Sequence, residues 1–379
     1  MTCPNEGERR RAAVIGTGLI GGSIGLALRA RGWHVTGRDL DPGRERRALE
    51  LGALDVPGDD PGAEVVFVAT PVSAVAGVAR GVLAGDGGAG ARGGPGLPGR
   101  QARGRLPVVT DVGGVKAPVV GAVDHPLFVG GHPMAGSEQE GVEGADAELF
   151  EGATWVLTPT ARTDPAAFAR LREVISSLGA DVIAIPPAGH DRLVALVSHV
   201  PHLTAATLMR VAAAGAQEHA ALLRLAAGGF RDMTRIAAGH PGIWPDICAE
   251  NRQAIVDALD QLLEALQGVR DMVEAGDREG LLDLLERARG ARRSLPARAV
   301  RAEDLVELRV PVADRPGALA EVTTLAGRLG VNIADLEIAH SAEGNRGVVI
   351  LVVEAEKVGL VRRALVGAGL RPSSLRRLD

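Results

Sequence analysis

The sequence contains no tyrosine, so no phenol can act here as acid, base or stacking platform. Two cysteines occur, Cys3 and Cys248, too few and too far apart for a disulfide framework or a zinc site, which suits a reducing cytoplasm. Lysine is confined to Lys116 and Lys357, leaving 40 of the 42 basic residues as arginine, a bias of coding more than of chemistry. The arginines are scattered among 47 acids, and a formal charge of -5 offers no basic footprint for nucleic acid. No run approaches the roughly eighteen apolar residues of a membrane span. Residues 1–11 are polar and charged, with no apolar signal core, so a cytoplasmic, unexported protein is expected.

What is present is organised in three parts. At roughly 150 residues per domain, 379 residues predict two or three domains. From 11 to about 185, short β-branched runs alternate with helical patterns: Ala12 to Ile15, His34 to Gly37, Glu64 to Ala69, Pro107 to Asp111, Leu127 to Gly130, Thr154 to Leu157 and Val182 to Ile185. Alternating strands and helices predict βαβ units around a mostly parallel, doubly wound α/β sheet. Residues 84–106, rich in glycine and arginine without apolar period, read as a disordered surface insert in a first domain of residues 1–186. From 187 to 296 strand signals vanish and Ala/Leu-rich helices are expected over Asp191 to Ala213, Glu218 to Ala226, Ile243 to Glu274 and Arg278 to Ser294. Several are apolar on more than one face, which predicts an all-α substrate and dimerisation domain, hence a homodimer. Beyond the linker, residues 303–379 read in the order βαββαβ, that of a small ferredoxin-like module.

The first strand runs into Gly16-Thr17-Gly18-Leu19-Ile20-Gly21. Gly16 permits a tight turn, Gly18 lets backbone approach a pyrophosphate, and Gly21 allows close helix–strand packing, while the amides opening the helix face the anion. Asp39 lies 18 residues after Gly21 at the end of the next strand, where its carboxylate would bind an adenosine ribose and repel a 2′-phosphate. NAD is therefore favoured over NADP, although Arg38 could pair with such a phosphate.

Three clusters carry the chemistry. Thr110-Asp111-Val112-Gly113-Gly114-Val115-Lys116 ends one strand, and Gly130-Gly131-His132-Pro133-Met134-Ala135-Gly136-Ser137-Glu138 ends the next. Strand carboxyl ends face the ligand crevice of an open α/β sheet, so His132 falls near the nicotinamide and is the best general-base candidate. The third cluster is split: His190-Asp191, Ser198-His199-Val200-Pro201-His202, and Phe230-Arg231-Asp232-Met233-Thr234-Arg235. His199 and His202 share one helical face at a metal-compatible spacing, but no third ligand accompanies them, and no metal is expected.

With GTGLIGGS, ATPV, TDVGGVK, GGHPMAGSE, SHVPH and GGFRDMTRIA in this order, and Trp244 and Glu250-Asn251-Arg252 beyond, the chain from Ala12 to about Leu285 resembles the prephenate dehydrogenase family of tyrosine biosynthesis. The resemblance implies oxidative decarboxylation: a cyclohexadienol bearing a ring carboxylate passes hydride to NAD, loses carbon dioxide and becomes aromatic. It implies that His132 takes the ring hydroxyl proton, that Arg235 grips a substrate carboxylate, and that His202 approaches the substrate side chain. It sets Glu138, Asp191 and Trp244 around the pocket, and Thr70, Pro71 and Asp111 beside the cofactor. The tail resembles an ACT domain, whose ligand loop matches Asp314-Arg315-Pro316-Gly317 together with Asn332 and Ile333, and this implies feedback by an aromatic amino acid.

One departure stands out. Many family members carry serine where this chain has Gly114, a hydroxyl thought to orient the ring hydroxyl and the base; here Ser137 or a water would have to substitute. Prephenate is the expected substrate, with arogenate the nearest rival, since it differs only by an amino group in place of a keto oxygen. A non-catalytic sensor of dinucleotide and amino acid is the alternative of another class. A β-hydroxyacid dehydrogenase would be expected to use a lysine of the helical domain, and both lysines lie outside it.

Overall fold

The computed structural model describes residues 9–85, 106–136, 139, 141–218, 221–239, 241–294, 305–313, 315–340, 346–372 and 374–377. The insert expected at 84–106 lies almost wholly outside the described residues. The chain divides into two units, Met1–Leu263 and Glu264–Asp379.

In the first unit β1 (Arg11–Ile15), α1 (Leu19–Ala30), β2 (His34–Arg38), α2 (Pro42–Glu50), the short β3 (Val56–Pro57), β4 (Val65–Val68), α3 (Val72–Leu83), β5 (Val108–Asp111), α4 (Ala117–Val123) and β6 (Phe128–Pro133) follow in turn. Then come β7 (Thr154–Thr158), α5 (Pro165–Ser177) and β8 (Asp181–Ala184). The eight strands lie in the order β3-β2-β1-β4-β5-β6-β7-β8. From β3 to β6 all pairs are parallel. β7 then runs antiparallel to β6, and β8 runs parallel to β7, so the far edge reverses direction.

Side-chain alternation builds the two layers. Ala12 and Val14 of β1 and Val65 and Phe67 of β4 join Ile24, Leu28, Trp155 and Leu171 on one face. Ala13, Ile15, Val66 and Val68 join Val75, Ala79, Val119 and Phe128 on the other. Neighbouring residues of one strand thus enter opposite cores, as the period of two requires, and β4 is buried throughout. Strand order reverses between β1 and β4, which opens a crevice at the carboxyl ends of the parallel strands.

The helices that follow are α6 (Pro187–Val194), α7 (Val200–Glu218), α8 (Gly228–Thr234), α9 (Trp244–Glu250), α10 (Arg252–Ala275) and α11 (Arg278–Arg293). Near residue 186 strands give way to helices, and α6 packs on α4 and β7, and α9 on α3, within the first unit. The stretch expected to be helical from Asp191 to Ala213 is helical throughout, with one irregular turn. Residues Ala195–His199 form a π-turn in which the Val200 amide bonds back to the Ala195 carbonyl, five residues away. Pro201 supplies the reason, since it cannot donate the amide that a regular turn needs there.

The second unit carries β9 (Leu305–Ala313), α12 (Ala318–Arg328), β10 (Ile333–His340), β11 (Arg346–Glu354), α13 (Ala355–Gly367) and β12 (Ser374–Arg377). Its four strands lie in the order β10-β11-β9-β12 and all pair antiparallel. Their core is aliphatic, built on Leu308, Val310, Leu351, Val361 and Leu365. Among the described residues no helix is long and apolar enough to cross a membrane.

Candidate active site

The crevice begins at the turn from β1 into α1. Gly16 has φ +97°, and a Cβ there would stand 2.4 Å from the Ala69 carbonyl oxygen; one on Gly21 would stand 1.9 Å from the Gly16 oxygen. Backbone therefore touches backbone at both positions, which only glycine allows. At Gly18 nothing lies within 4 Å of where a Cβ would be. No side chain caps the helix there, so the amides of its first turn, including those of Leu19 and Ile20, face the crevice as an anion site. Asp39 stands above this turn, its Oδ2 accepting from the Thr17 amide at 2.7 Å and the Thr17 hydroxyl at 3.1 Å. Arg38 is drawn aside by Asp59, to which its Nε donates at 2.7 Å. At the neighbouring strand end Thr70 presents a buried Oγ1 with no hydrogen-bond partner, and Pro71, exposed, precedes α3. An open glycine floor, an uncapped helix end and an orphaned hydroxyl fit a dinucleotide.

The next strand end is a buried clamp. Asp111 and Lys116 are each 0% exposed and form an ion pair. Lys116 Nζ also donates to the Gly131 carbonyl at 2.9 Å, while Asp111 accepts from the amides of Gly113 at 2.9 Å and Gly131 at 3.2 Å. Asp111, expected beside the cofactor, thus has no exposed surface and acts through the backbone it holds. Burial pushes the Lys116 ammonium below its usual range, against the pull of Asp111.

His132 follows Gly131 inside β6, paired with Val156 of β7. Its Nδ1 lies 2.9 Å from His190 Nε2, and His190 Nδ1 lies 2.8 Å from Asp191 Oδ1. Asp191, buried, accepts the amides of Lys116 and Ala117, each at 2.8 Å. Asn251 donates to the Asp191 carbonyl at 2.9 Å and meets His199 Nδ1 at 3.3 Å. The His132 pKa lies well below the ordinary range, first through burial and then through the Lys116 cation, His190 and His199. The ring is therefore neutral near pH 7, as a proton acceptor must be. A Cβ on Gly114 would stand 3.7 Å from His132 Cε1 and 3.8 Å from Nε2, so this ring edge faces open glycine backbone.

His199 and His202 part company. His199, buried at the end of the π-turn, has its pKa lowered to about 4 by burial. His202 stacks on Trp244 with centroids 3.7 Å apart and planes at 15°, and Trp244 meets His199 edge-on at 6.1 Å. The turn Arg235–Ala238 packs on α7, Arg235 is exposed, and Gly239 at the end of the turn comes close to the His202 ring. Ser137, Glu138 and Asp314 lie outside the described residues. Arg315, Pro316 and Gly317 make the turn from β9 into α12, with Gly317 at φ +89°, and Asn332 and Ile333 lead into β10.

The structure thus gathers Gly114, His132 and Asp191 in one network, and His202, Trp244 and the Arg235 turn in an adjoining one. Sequence reasoning gave no role to His190, Lys116 or Asn251. The signal was available for His190, a histidine directly before an acid within a recognised cluster.

Residues 104–184 match the family model described as prephenate dehydrogenase, nucleotide-binding domain, and residues 186–287 match prephenate dehydrogenase, dimerization domain. A prephenate dehydrogenase of Bacillus subtilis (strain 168) is 33% identical over 363 residues, covering 90% of this chain and 91% of that one. The crystal structure of prephenate dehydrogenase from A. aeolicus in complex with hydroxyphenyl propionate and NAD+ superposes with a TM-score of 0.67 at 27% identity, covering 77% of this chain and 100% of that chain. Synechocystis arogenate dehydrogenase gives a TM-score of 0.62 at 30% identity, covering 74% of this chain and 98% of that chain.

Proposed function

The chain belongs to the prephenate dehydrogenase family, and from that premise we propose that it converts prephenate to 4-hydroxyphenylpyruvate in tyrosine biosynthesis, using NAD, with His132 as general base. The carrying observation is the placement of His132, whose Nε2 edge faces the open backbone of Gly114 and whose burial disfavours the charged ring. NAD, when bound, supplies the acceptor for the ring hydride. Gly16, Gly18, Leu19, Ile20 and Gly21 would hold its pyrophosphate, Asp39 its ribose, and Thr70 and Pro71 would border it.

His132 takes the proton of the ring hydroxyl as the C–H bond breaks. Loss of carbon dioxide returns its electron pair to the ring, and His132 hands the proton back to the oxygen of the new phenol, so no net proton is consumed. Arg235 holds a substrate carboxylate, and the His202–Trp244 stack supports the side chain. With no serine at 114, ring orientation falls to other groups.

His132→Asn tests the base: turnover, read as nicotinamide absorbance, should fall by about two to four orders of magnitude with NAD affinity unchanged. Turnover within about tenfold of wild type rejects it. Arogenate is the second reading, motivated by the arogenate dehydrogenase among the similar structures. Comparing kcat/KM for prephenate and arogenate, each with NAD and NADP, separates these readings.

Two further elements complete the proposal. The chain works as a cytoplasmic homodimer through its helical region, where Leu193, Leu196, Val197 and Val211 stand exposed. Residues 303–379 form an ACT domain that binds an aromatic amino acid near Arg315, Pro316, Gly317, Asn332 and Ile333. Calorimetry of the full chain with tyrosine, phenylalanine and tryptophan tests this, and no heat from any of them counts against it.

A further inference from the structure

The base and the two polar groups behind it, His190 and Asp191, lie in a row, and each constrains the next. Asp191 accepts two backbone amides, from Lys116 and Ala117, and as a carboxylate it offers only acceptors. The proton in its 2.8 Å contact with His190 Nδ1 must therefore belong to His190. A neutral imidazole protonated at Nδ1 has its lone pair on Nε2. That Nε2 lies 2.9 Å from His132 Nδ1, so the proton of this second bond belongs to His132. The remaining nitrogen of His132, Nε2, then carries a lone pair, and it is on the edge that faces Gly114.

We propose that His190 and Asp191 are positioning residues that hold His132 in the Nδ1-protonated tautomer, with its Nε2 lone pair directed at the substrate hydroxyl. Neutral histidine in water prefers the opposite tautomer, protonated on Nε2, which here would present a donor where an acceptor is needed. The chain also secures the charged form: once Nε2 has taken the proton, Nδ1–H still bonds to His190, and the Asp191 carboxylate behind it favours the imidazolium without accepting a proton itself. Burial fixes the geometry, since His190 is 1% and Asp191 5% exposed, and Asn251 ties the Asp191 backbone in place. The inference rests on His132 being the base, and its test is separable from that reading.

Glutamine at 190 offers an oxygen to His132 and an N–H to Asp191, whereas leucine offers neither. His190→Leu should lower kcat by about a hundredfold or more with KM within a few-fold, and His190→Gln should recover most of the loss. Independently of turnover, ¹⁵N NMR of the ligand-free wild type should show His132 protonated on Nδ1 and bare on Nε2, a pattern lost in His190→Leu. Protonated Nε2 in the wild type overturns the proposal, as does wild-type kcat in His190→Leu, or a folded His190→Gln no better than leucine. Should His190→Leu fail to fold, the wild-type spectrum decides. An active His132→Asn would instead remove the base reading itself.

Discussion

Gly18 and Gly21 sit three residues apart in one motif, yet the structure assigns them different work, and two alanine substitutions expose the difference. A Cβ on Gly21 would lie 1.9 Å from the Gly16 oxygen, about 1.1 Å inside a 3.0 Å closest approach, with Ala69 Cβ at 3.1 Å behind it. Neither the turn nor the strand can swing aside, so α1 must lift from β1. Overpacking of this kind costs about 1–3 kcal/mol, which lowers Tm by about 2–12 °C for a unit of this size. The cradle opens with the helix, so NAD affinity falls too. Gly18→Ala differs: φ −73° and ψ −159° suit any residue, and no protein atom lies within 4 Å of the added methyl. Its folding cost is that of a poorer helix cap, about 0.5 kcal/mol. The methyl projects where a pyrophosphate must approach the helix amides, and losing one charge-assisted hydrogen bond, about 1.5–3 kcal/mol, weakens NAD by about 10- to 150-fold. Scanning calorimetry and NAD titration on both variants read the two quantities separately. Wild-type NAD affinity in Gly18→Ala, or a wild-type Tm in Gly21→Ala, would refute the assignment.

Lys116→Met leaves Asp111 buried without its cation and should cost about 3–5 kcal/mol in urea unfolding; a loss under about 1 kcal/mol would mean the clamp is unimportant. His199 stays unprotonated in the folded chain down to about pH 4, whereas the unfolded chain protonates it below about 6.5. Its contribution is thus full above pH 6.5 and lost as pH falls to about 4, with a ceiling of about 3 kcal/mol, and His199→Gln should flatten the acid slope of the urea midpoint. Asp39→Ala should raise the NADP-to-NAD ratio of kcat/KM about tenfold or more. Adding Asp59→Asn, which frees Arg38 for a 2′-phosphate, should raise the ratio again, and no second increase would show that Asp59 does not restrain Arg38.

How far the site could be read from the sequence depends on whether its causes are local. The glycine turn was legible because a positive φ at Gly16 and backbone contact at Gly21 each demand one residue type. The strands of the two-layer sheet were legible through their apolar runs. The reversal at β7 was not, since β7 carries the same apolar run whichever way it runs. Lys116 was equally opaque. Nothing in its own neighbourhood marks Lys116 as buried, since its burial depends on Asp111 and Gly131 arriving from two strands.

Gly114 and the histidine chain bear on one another. Reading motifs alone, the missing serine leaves Ser137 or a water to orient the base from the substrate side. The structure gives His132 support from the opposite side, where His190 bonds to its Nδ1 and Asp191 in turn bonds to His190. Asp191 in turn takes the amides of Lys116 and Ala117, just beyond Gly114, so the glycine loop and the base are registered through one carboxylate. Burial, and after it the Lys116 cation, hold the His132 pKa down, while in the proposed mechanism Asp191 becomes the counter-charge once the proton has moved. On the proposed mechanism, a base so placed is neutral before the hydroxyl proton arrives and stabilised after it from the side away from Gly114.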